Sequence, residues 1–287
     1  MEAATSKRLT TAAGVALMFS AALSLAAWAQ ATTGQATTGE ATPGQATTGQ
    51  GTTGPGDTDF PPLAKECGEA NATTMALPNS ARALAKDKKL KILAIGASSA
   101  SILGGMRDGN PPLLEQLLER TIAGLDVEIV NRGVSGELAG DAAKRLKVEV
   151  ALNQPDVVLW QVGTNDAFAQ VPVEEFQETV GEMVRWLKEH NTDVILVGLH
   201  YMKNLAKDAH YQAMRASLQH IANVENVPRI GRYEAMEILS RTLRENGRRD
   251  PGEFGSTESA YDCMARYVAR VIAVGLFAKP PKKPASH

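Results

Sequence analysis

Apolar runs of strand length alternate along the chain with segments whose apolar residues recur at helical spacing. The predicted strands span residues 90–95, 127–131, 157–162, 194–199 and, more weakly, 227–231. The predicted helices span residues 112–123, 140–153, 173–190, 205–223, 234–245 and 259–277. Because the strand runs are rich in Val, Ile and Leu without polar alternation, they are typical of a parallel sheet covered on both faces. Right-handed crossovers then predict an α/β fold, a three-layer α/β/α sandwich on a flavodoxin-like, five-stranded parallel sheet.

The first residues carry the features of an export signal. Lys7 and Arg8 precede an apolar run that ends in Ala27-Trp28-Ala29, which places small residues where a signal peptidase requires them. Residues 1–29 are therefore predicted to be a signal peptide that is removed after Ala29. An uncleaved anchor is the alternative, but the run is shorter than the roughly 20 apolar residues of a membrane span. We expect an exported protein, periplasmic or secreted, with no stable membrane span after cleavage.

Composition divides the rest of the chain into three segments. Residues 30–59 repeat variants of Ala-Thr-Thr-Gly-Gln and hold no aliphatic residue larger than Ala, which predicts a flexible, Thr/Gly-rich low-complexity linker. Residues 60–279 are long enough for one domain with a sizeable core, and residues 280–287 are predicted to be a disordered tail. The formal net charge is −2 and the basic residues are scattered, which argues against a nucleic-acid partner.

The chain contains two cysteines, Cys67 near the start of the predicted domain and Cys263 in its last predicted helix. In an exported protein such a pair indicates one disulfide that holds the N-terminal arm of the domain. Two buried thiols that never meet are the alternative. The sequence contains no zinc-ligand spacing, P-loop or dinucleotide-binding glycine motif, so we expect neither a metal nor an organic cofactor.

Short polar motifs follow three of the predicted strands. They are Gly96-Ala97-Ser98, Asn131-Arg132-Gly133-Val134-Ser135-Gly136 and Gly163-Thr164-Asn165-Asp166. Because ligands bind outside the carboxyl ends of parallel strands, these motifs are expected to meet at one edge of the sheet. A serine hydroxyl there can act as a nucleophile, and a glycine N–H with an asparagine amide suits an oxyanion hole. Each motif alone could equally be a turn or a helix cap, and Asp166 either orients its neighbours or caps the helix that follows it.

Taken together, the three motifs resemble the sequence blocks of the SGNH hydrolase superfamily, also called GDSL-type lipases and esterases, over about residues 91–277. The resemblance implies Ser98 as the nucleophile, although Ala97 stands where the first block usually has aspartate. It also implies Gly136 as a backbone donor and Asn165 as a side-chain donor to the oxyanion. The implied reaction is hydrolysis of an O-acyl ester through an acyl-serine. The implied substrate is a small-molecule or carbohydrate ester, with carbohydrate O-acetyl groups included by analogy.

The last sequence block departs from the superfamily pattern. That pattern has Asp-x-x-His shortly before the final helix, and its histidine activates the serine. When Tyr261 and Ala265 are aligned with this block, Gly252 and Gly255 stand at the aspartate and histidine positions. The usual base is therefore missing from its place. This matters because a serine hydroxyl is a poor nucleophile until a positioned base takes its proton.

Three interpretations of this gap stay open. In the first, a shift of two residues brings Asp250 and Glu253 into the two roles, with Glu253 as a base whose pKa burial would raise. In the second, His200 supplies the imidazole, because it follows the fourth predicted strand at the same edge of the sheet. The alternative for His200 is a strand-end residue without a catalytic role. In the third, the domain is a pseudoenzyme, an inactive binding or accessory module of the same fold.

Overall fold

A parallel sheet lies at the centre of the residues that the structure describes. The computed structural model describes residue 67 and residues 72–97, 102–103, 111–247 and 258–279. The strands in these ranges are β1 (Lys89–Gly96), β2 (Asp126–Arg132), β3 (Val157–Gln161), β4 (Asp193–Val197) and β5 (Arg229–Ile230). They pair in parallel in the order β2-β1-β3-β4-β5, which confirms the predicted flavodoxin-like topology.

Helices connect the strands as predicted, with two additions. Within the described ranges they are α1 (Pro78–Asp87), α2 (Leu113–Thr121), α3 (Ala139–Asn153), α4 (Thr164–Phe168), α5 (Val173–Glu189), α6 (Ala209–Val224), α7 (Arg232–Glu245) and α8 (Glu258–Phe277). The sequence pattern does not reveal α1, because most of its 10 residues are polar or small. It does not reveal α4, because 5 residues are too few to establish a helical period.

The starts of two helices differ from the prediction. The predicted helix over 205–223 begins only at Ala209, because Asp208 caps it by accepting a hydrogen bond from the Tyr211 N–H at 2.7 Å. The residues just before it, Lys203–Leu205, form a separate 3-10 turn. Helix α7 begins at Arg232, two residues before the predicted start, so that only Gly231 separates it from β5.

Strand burial matches the prediction in the middle of the sheet and fails at one edge. Every residue of β3 and of β4 is buried, as strands with neighbours on both sides and helices on both faces require. The expectation of burial on both faces is wrong for β2, where Val127 is buried but Asp126, Glu128 and Arg132 are exposed. The reason is that β2 is an edge strand and pairs with β1 alone.

Successive residues of β1 show how the sheet separates two apolar layers. Ile92 and Ala94 pack into a cluster with residues of α2 and α8, whereas Leu93 and Ile95 pack into a second cluster with residues of α3 and α5. This alternation is the period of two expected of an extended strand. The two clusters confirm the three-layer α/β/α arrangement.

A disulfide joins Cys67 to Cys263, which confirms the predicted pairing. The two Cα atoms are 5.6 Å apart, within the usual range for a disulfide. The Tyr267 hydroxyl in α8 donates a hydrogen bond to the Cys67 carbonyl oxygen. A few residues further along, Thr73 N donates to Arg229 O at 3.1 Å, so the arm also contacts β5. Covalent and hydrogen bonds together hold the N-terminal arm against the domain.

Some sequence predictions concern residues outside the described ranges. They are the signal peptide (1–29), the linker (30–59), the tail (280–287) and the candidate site residues Ser98, Asp250 and Glu253. In the part of the chain that the structure does describe, no helix has both the length and the hydrophobicity needed to cross a membrane.

Candidate active site

The carboxyl end of β1 requires glycine. Gly96 has a φ of 112°, and a Cβ atom built on it would lie 2.0 Å from the carbonyl oxygen of Gln161 in β3. No side chain fits at this distance from the backbone of β3. The pairing of β1 with β3 therefore requires glycine at the first position of the motif Gly96-Ala97-Ser98. Ala97 is the last described residue of this motif, and Ser98 lies outside the described ranges.

The loop after β2 carries the proposed backbone donor. Asn131 Oδ1 accepts a hydrogen bond from Gly133 N at 3.1 Å, which turns the chain away from the strand. Gly136 follows with a φ of 80°, in the left-handed region that favours glycine. It is exposed, and a Cβ built on it would meet nothing within 4 Å. Its backbone is therefore accessible at the carboxyl edge of the sheet.

The motif after β3 reaches across to this loop. Gly163 has a φ of 102°, and the chain then enters the short helix α4. Asn165 in that helix donates its Nδ2 hydrogen to Glu137 O at 2.9 Å, one residue beyond Gly136. A side-chain amide has two N–H bonds, so one can fix the side chain while the other is left for a ligand. The structure thus brings Asn165 beside the Gly136 loop, as the sequence predicts.

Asp166 anchors the same loop at its other end. Its Oδ1 accepts a hydrogen bond from Ala139 N at 2.8 Å, and the side chain is almost fully buried. Burial raises the pKa of Asp166, and the bond from Ala139 opposes that rise. The sequence leaves both orientation of neighbours and helix capping open for Asp166. Its carboxylate caps the start of α3 through Ala139, and a backbone hydrogen bond from Gly163, the residue before α4, also lowers its pKa. Two consecutive residues of the third motif therefore hold the segment between Gly136 and α3.

An ion pair that sequence inspection missed also supports this loop. Arg145 donates from Nε to Glu137 Oε1 and from Nη2 to Glu137 Oε2, both at 2.8 Å. Its Nη2 also donates to the Arg132 carbonyl oxygen at 2.8 Å. The Glu137 side chain is only 5% exposed, so this two-point bond lies largely out of water. The sequence does not reveal this pair. Glu137 lies in a loop and Arg145 lies in a helix 8 residues later, so their spacing matches no regular helix or strand pattern.

His200 lies beyond the end of β4, close to the third motif. Its backbone N–H donates to Thr164 Oγ1 at 3.1 Å, and its carbonyl accepts from the Tyr211 hydroxyl at 2.6 Å. Burial, and to a smaller degree the charge of Arg232, lower the pKa of His200 to about 2. The imidazole is therefore uncharged at neutral pH and is a weak proton acceptor. A catalytic role for His200 stays a prediction, as do the roles of Asp250 and Glu253.

The described residues thus place two of the predicted site residues together and a third nearby. Asn165 contacts Glu137, the residue after Gly136, and His200 follows the neighbouring strand end. Nothing in the described ranges groups three or more His, Cys, Asp or Glu side chains in a way that could hold a metal ion. The arrangement can present hydrogen-bond donors to an oxyanion at the carboxyl edge of the sheet.

Comparison with known proteins identifies the family of this domain. Residues 66–277 match the model of the non-GDSL lipase-like family. An arylesterase from Vibrio mimicus is 29% identical over 119 residues, which are 41% of this chain and 58% of the arylesterase. The match to that curated relative therefore spans less than two thirds of its length.

Two solved structures illustrate the similarity of fold. A lipase/acylhydrolase from Enterococcus faecalis is 26% identical with a TM-score of 0.50, and the alignment covers 64% of this chain and 95% of that protein. A catalytic mutant of an acetylxylan esterase from Geobacillus stearothermophilus is 21% identical with a TM-score of 0.50, over 64% of this chain and 94% of that protein. At this identity the second similarity concerns the fold alone.

Proposed function

Because the chain belongs to the non-GDSL lipase-like family, within the SGNH hydrolase superfamily, we propose that it hydrolyses O-acyl esters through an acyl-enzyme on Ser98. The observation that carries the proposal is the hydrogen bond from Asn165 Nδ2 to Glu137 O at 2.9 Å, beside Gly136. Similarity to an arylesterase and to a lipase/acylhydrolase supports ester chemistry in particular. Carbohydrate O-acetyl esters are included in the proposed substrate class by analogy.

The proposed reaction has two steps. A base takes the Ser98 hydroxyl proton while the oxygen attacks the ester carbonyl carbon, and the resulting oxyanion accepts hydrogen bonds from the N–H groups of Ser98 and Gly136 and from the Asn165 amide. The tetrahedral intermediate collapses, the alcohol leaves with a proton, and the acyl group stays on Ser98. Water then hydrolyses the acyl-serine by the same route. The hydrogen bond that Asn165 donates to Glu137 and the one that Asp166 accepts from Ala139 support this scheme, because they hold the donors in place before charge develops.

Asn165→Ala is expected to lower kcat for a short-chain 4-nitrophenyl ester by about 10²- to 10³-fold. The physical reason is the loss of one donor to the oxyanion, a charge that exists in the transition state but not in the substrate. Initial rates of nitrophenol release by the full-length chain measure the effect.

Asn153→Ala is the matched control for that experiment. Asn153 Nδ2 also donates to a backbone carbonyl, Glu149 O at 2.8 Å, but it lies at the far end of α3. We expect this variant to keep the wild-type kcat. Equal rates for wild type and Asn165→Ala would show that Asn165 does not stabilise the oxyanion.

Arg145→Met is expected to lower kcat about tenfold and to change KM much less, because Arg145 orients the Gly136 loop without touching the substrate. The control is Lys144→Met, since the neighbouring Lys144 pairs with Asp141 on the exposed surface at 3.3 Å. Steady-state kinetics on the same ester separate kcat from KM. An unchanged kcat in Arg145→Met would rule out this positioning role.

A second candidate is a non-enzymatic binding or accessory module of the same fold. Two observations favour it, namely Gly255 at the usual histidine position and the lowered pKa of His200, to about 2, through burial and the charge of Arg232. On this proposal wild type and Ser98→Ala hydrolyse esters at the same low rate. Robust hydrolysis that depends on Ser98 would exclude it.

A further inference from the structure

A buried guanidinium lies at the same edge of the sheet and has no role in the proposed reaction. Arg232 is the first residue of α7, separated from the end of β5 only by Gly231, and is 1% exposed. Its Nε and Nη1 atoms are buried and have no hydrogen-bond partner among the residues that the structure describes. Burial lowers the pKa of Arg232 to about 10, which still leaves the side chain charged at neutral pH.

The two neighbouring arginines differ from Arg232 because each of them has a carboxylate partner, although Arg215 Nε also has no hydrogen-bond partner among the described residues. Arg229 donates from Nε to Gln219 Oε1 at 2.6 Å and lies 3.7 Å from the Glu234 carboxylate. Arg215 donates to Gln212 and lies 3.0 Å from the same carboxylate. Glu234 therefore already pairs with two cations.

The groups that interact electrostatically with Arg232 do not supply the missing anion. They are the imidazole of His200 and the phenols of Tyr211 and Tyr261. His200 is uncharged, and a phenol ordinarily carries no charge at neutral pH. Among the described residues no Asp or Glu forms an ion pair with Arg232. A buried charge is unfavourable when none of the described residues supplies a counter-charge, so this position favours binding of an anionic partner.

We propose that Arg232 binds the carboxylate of a ligand at the carboxyl edge of the sheet, next to His200. A monoanion matches one guanidinium that no described acid neutralises, and the planar carboxylate accepts charge-assisted hydrogen bonds that are strongest out of water. The site deepens the proposed function, because it names an ester that also carries an acid group as the substrate class. The assignment of this substrate class rests on the proposed function, whereas the binding of a carboxylate does not.

Binding of benzoate to the full-length chain tests the site, with benzamide as the uncharged probe of the same shape. Isothermal titration is expected to show benzoate binding to wild type and no binding of benzamide. Arg232→Met is expected to weaken benzoate binding about tenfold to hundredfold, and Arg232→Lys less, because lysine keeps the charge but loses the planar fork. Arg241→Met, an exposed change on the same helix, is the matched control and keeps wild-type affinity.

The folding of Arg232→Met provides an independent readout. Removing an uncompensated buried charge leaves Tm equal to or above that of wild type, whereas removing one partner of a buried ion pair lowers it. A lowered Tm would therefore overturn the proposal, since it would mean that Arg232 already has an internal partner. Absence of benzoate binding to wild type would overturn it as well, and so would equal affinity in wild type and Arg232→Met.

Ester kinetics extend the test to the substrate class. Wild type is expected to prefer 4-acetoxybenzoate to its uncharged methyl ester, and Arg232→Met is expected to reduce that preference about tenfold. Benzoate binding without hydrolysis of either ester would support the anion site and contradict the proposed function. Hydrolysis of the methyl ester without benzoate binding would contradict the anion site and leave the proposed function supported.

Discussion

Replacing both Cys67 and Cys263 by alanine is expected to lower the free energy of unfolding by about 4 to 5 kcal/mol, as the chain-entropy description of a long disulfide loop requires. The bond joins residues 196 positions apart, so its removal frees a very long segment of the unfolded chain. Cys67 and Cys263 are also nearly or fully buried, and their removal leaves small cavities. Urea unfolding of the full-length chain, followed by circular dichroism, measures the loss.

Two controls isolate the contribution of the disulfide. Cys263→Ala alone is expected to lose nearly as much stability as the double variant, because each of the two variants lacks the same disulfide. Wild type in reducing agent is expected to have a free energy of unfolding close to that of the double variant. Both lack the disulfide, and they differ only in the small cavities that the alanines leave. A double variant within about 1 kcal/mol of wild type would mean that the bond adds little to stability.

Ser98→Ala is expected to lower ester turnover by about 10⁴-fold or more, the largest kinetic effect of any substitution considered. The hydroxyl oxygen forms the bond to the acyl group, so without it only binding and oxyanion donors remain to accelerate attack by water. Initial rates of 4-nitrophenyl acetate hydrolysis, with wild type and variant at the same concentration, measure this loss.

Ser217→Ala is the matched control for Ser98→Ala. Ser217 is buried in α6, and its hydroxyl has no hydrogen-bond partner among the described residues, so its removal should leave the rate unchanged. A wild-type rate in Ser98→Ala would contradict the assignment of the nucleophile. The same assay on Asp250→Asn, Glu253→Gln and His200→Ala identifies the base as the residue whose replacement brings the rate closest to that of Ser98→Ala.

The sheet was predictable because each of its strands is encoded locally. Continuous apolar runs mark β1, β3 and β4, and the end of β3 fixes where the motif with Asn165 must lie, while the motif with Gly136 follows the edge strand β2. Since parallel strands end at one edge, strand order alone brings the two motifs close together. The contact of Asn165 with the Gly136 loop is therefore a consequence of topology that the sequence already contained.

The supporting contacts were not predictable, because they depend on side chains that meet through tertiary structure. The capping of α3 by Asp166 joins residues 27 positions apart, and the Glu137–Arg145 pair joins a loop to a helix. Neither leaves a periodic signal in the sequence. The lack of an acidic partner for Arg232 among the described residues is harder still to foresee, since it depends on how Glu234 is shared by Arg215 and Arg229.

The most direct test of the central claim is covalent trapping of the nucleophile with a fluorophosphonate, followed by mass spectrometry of the proteolysed chain. An activated serine displaces fluoride from phosphorus, and the adduct resembles the tetrahedral intermediate that an oxyanion hole stabilises. The account predicts an adduct on Ser98 in wild type, slower labelling in Asn165→Ala and none in Ser98→Ala. Labelling that is absent from Ser98 in wild type, or equally fast in Asn165→Ala, would contradict it.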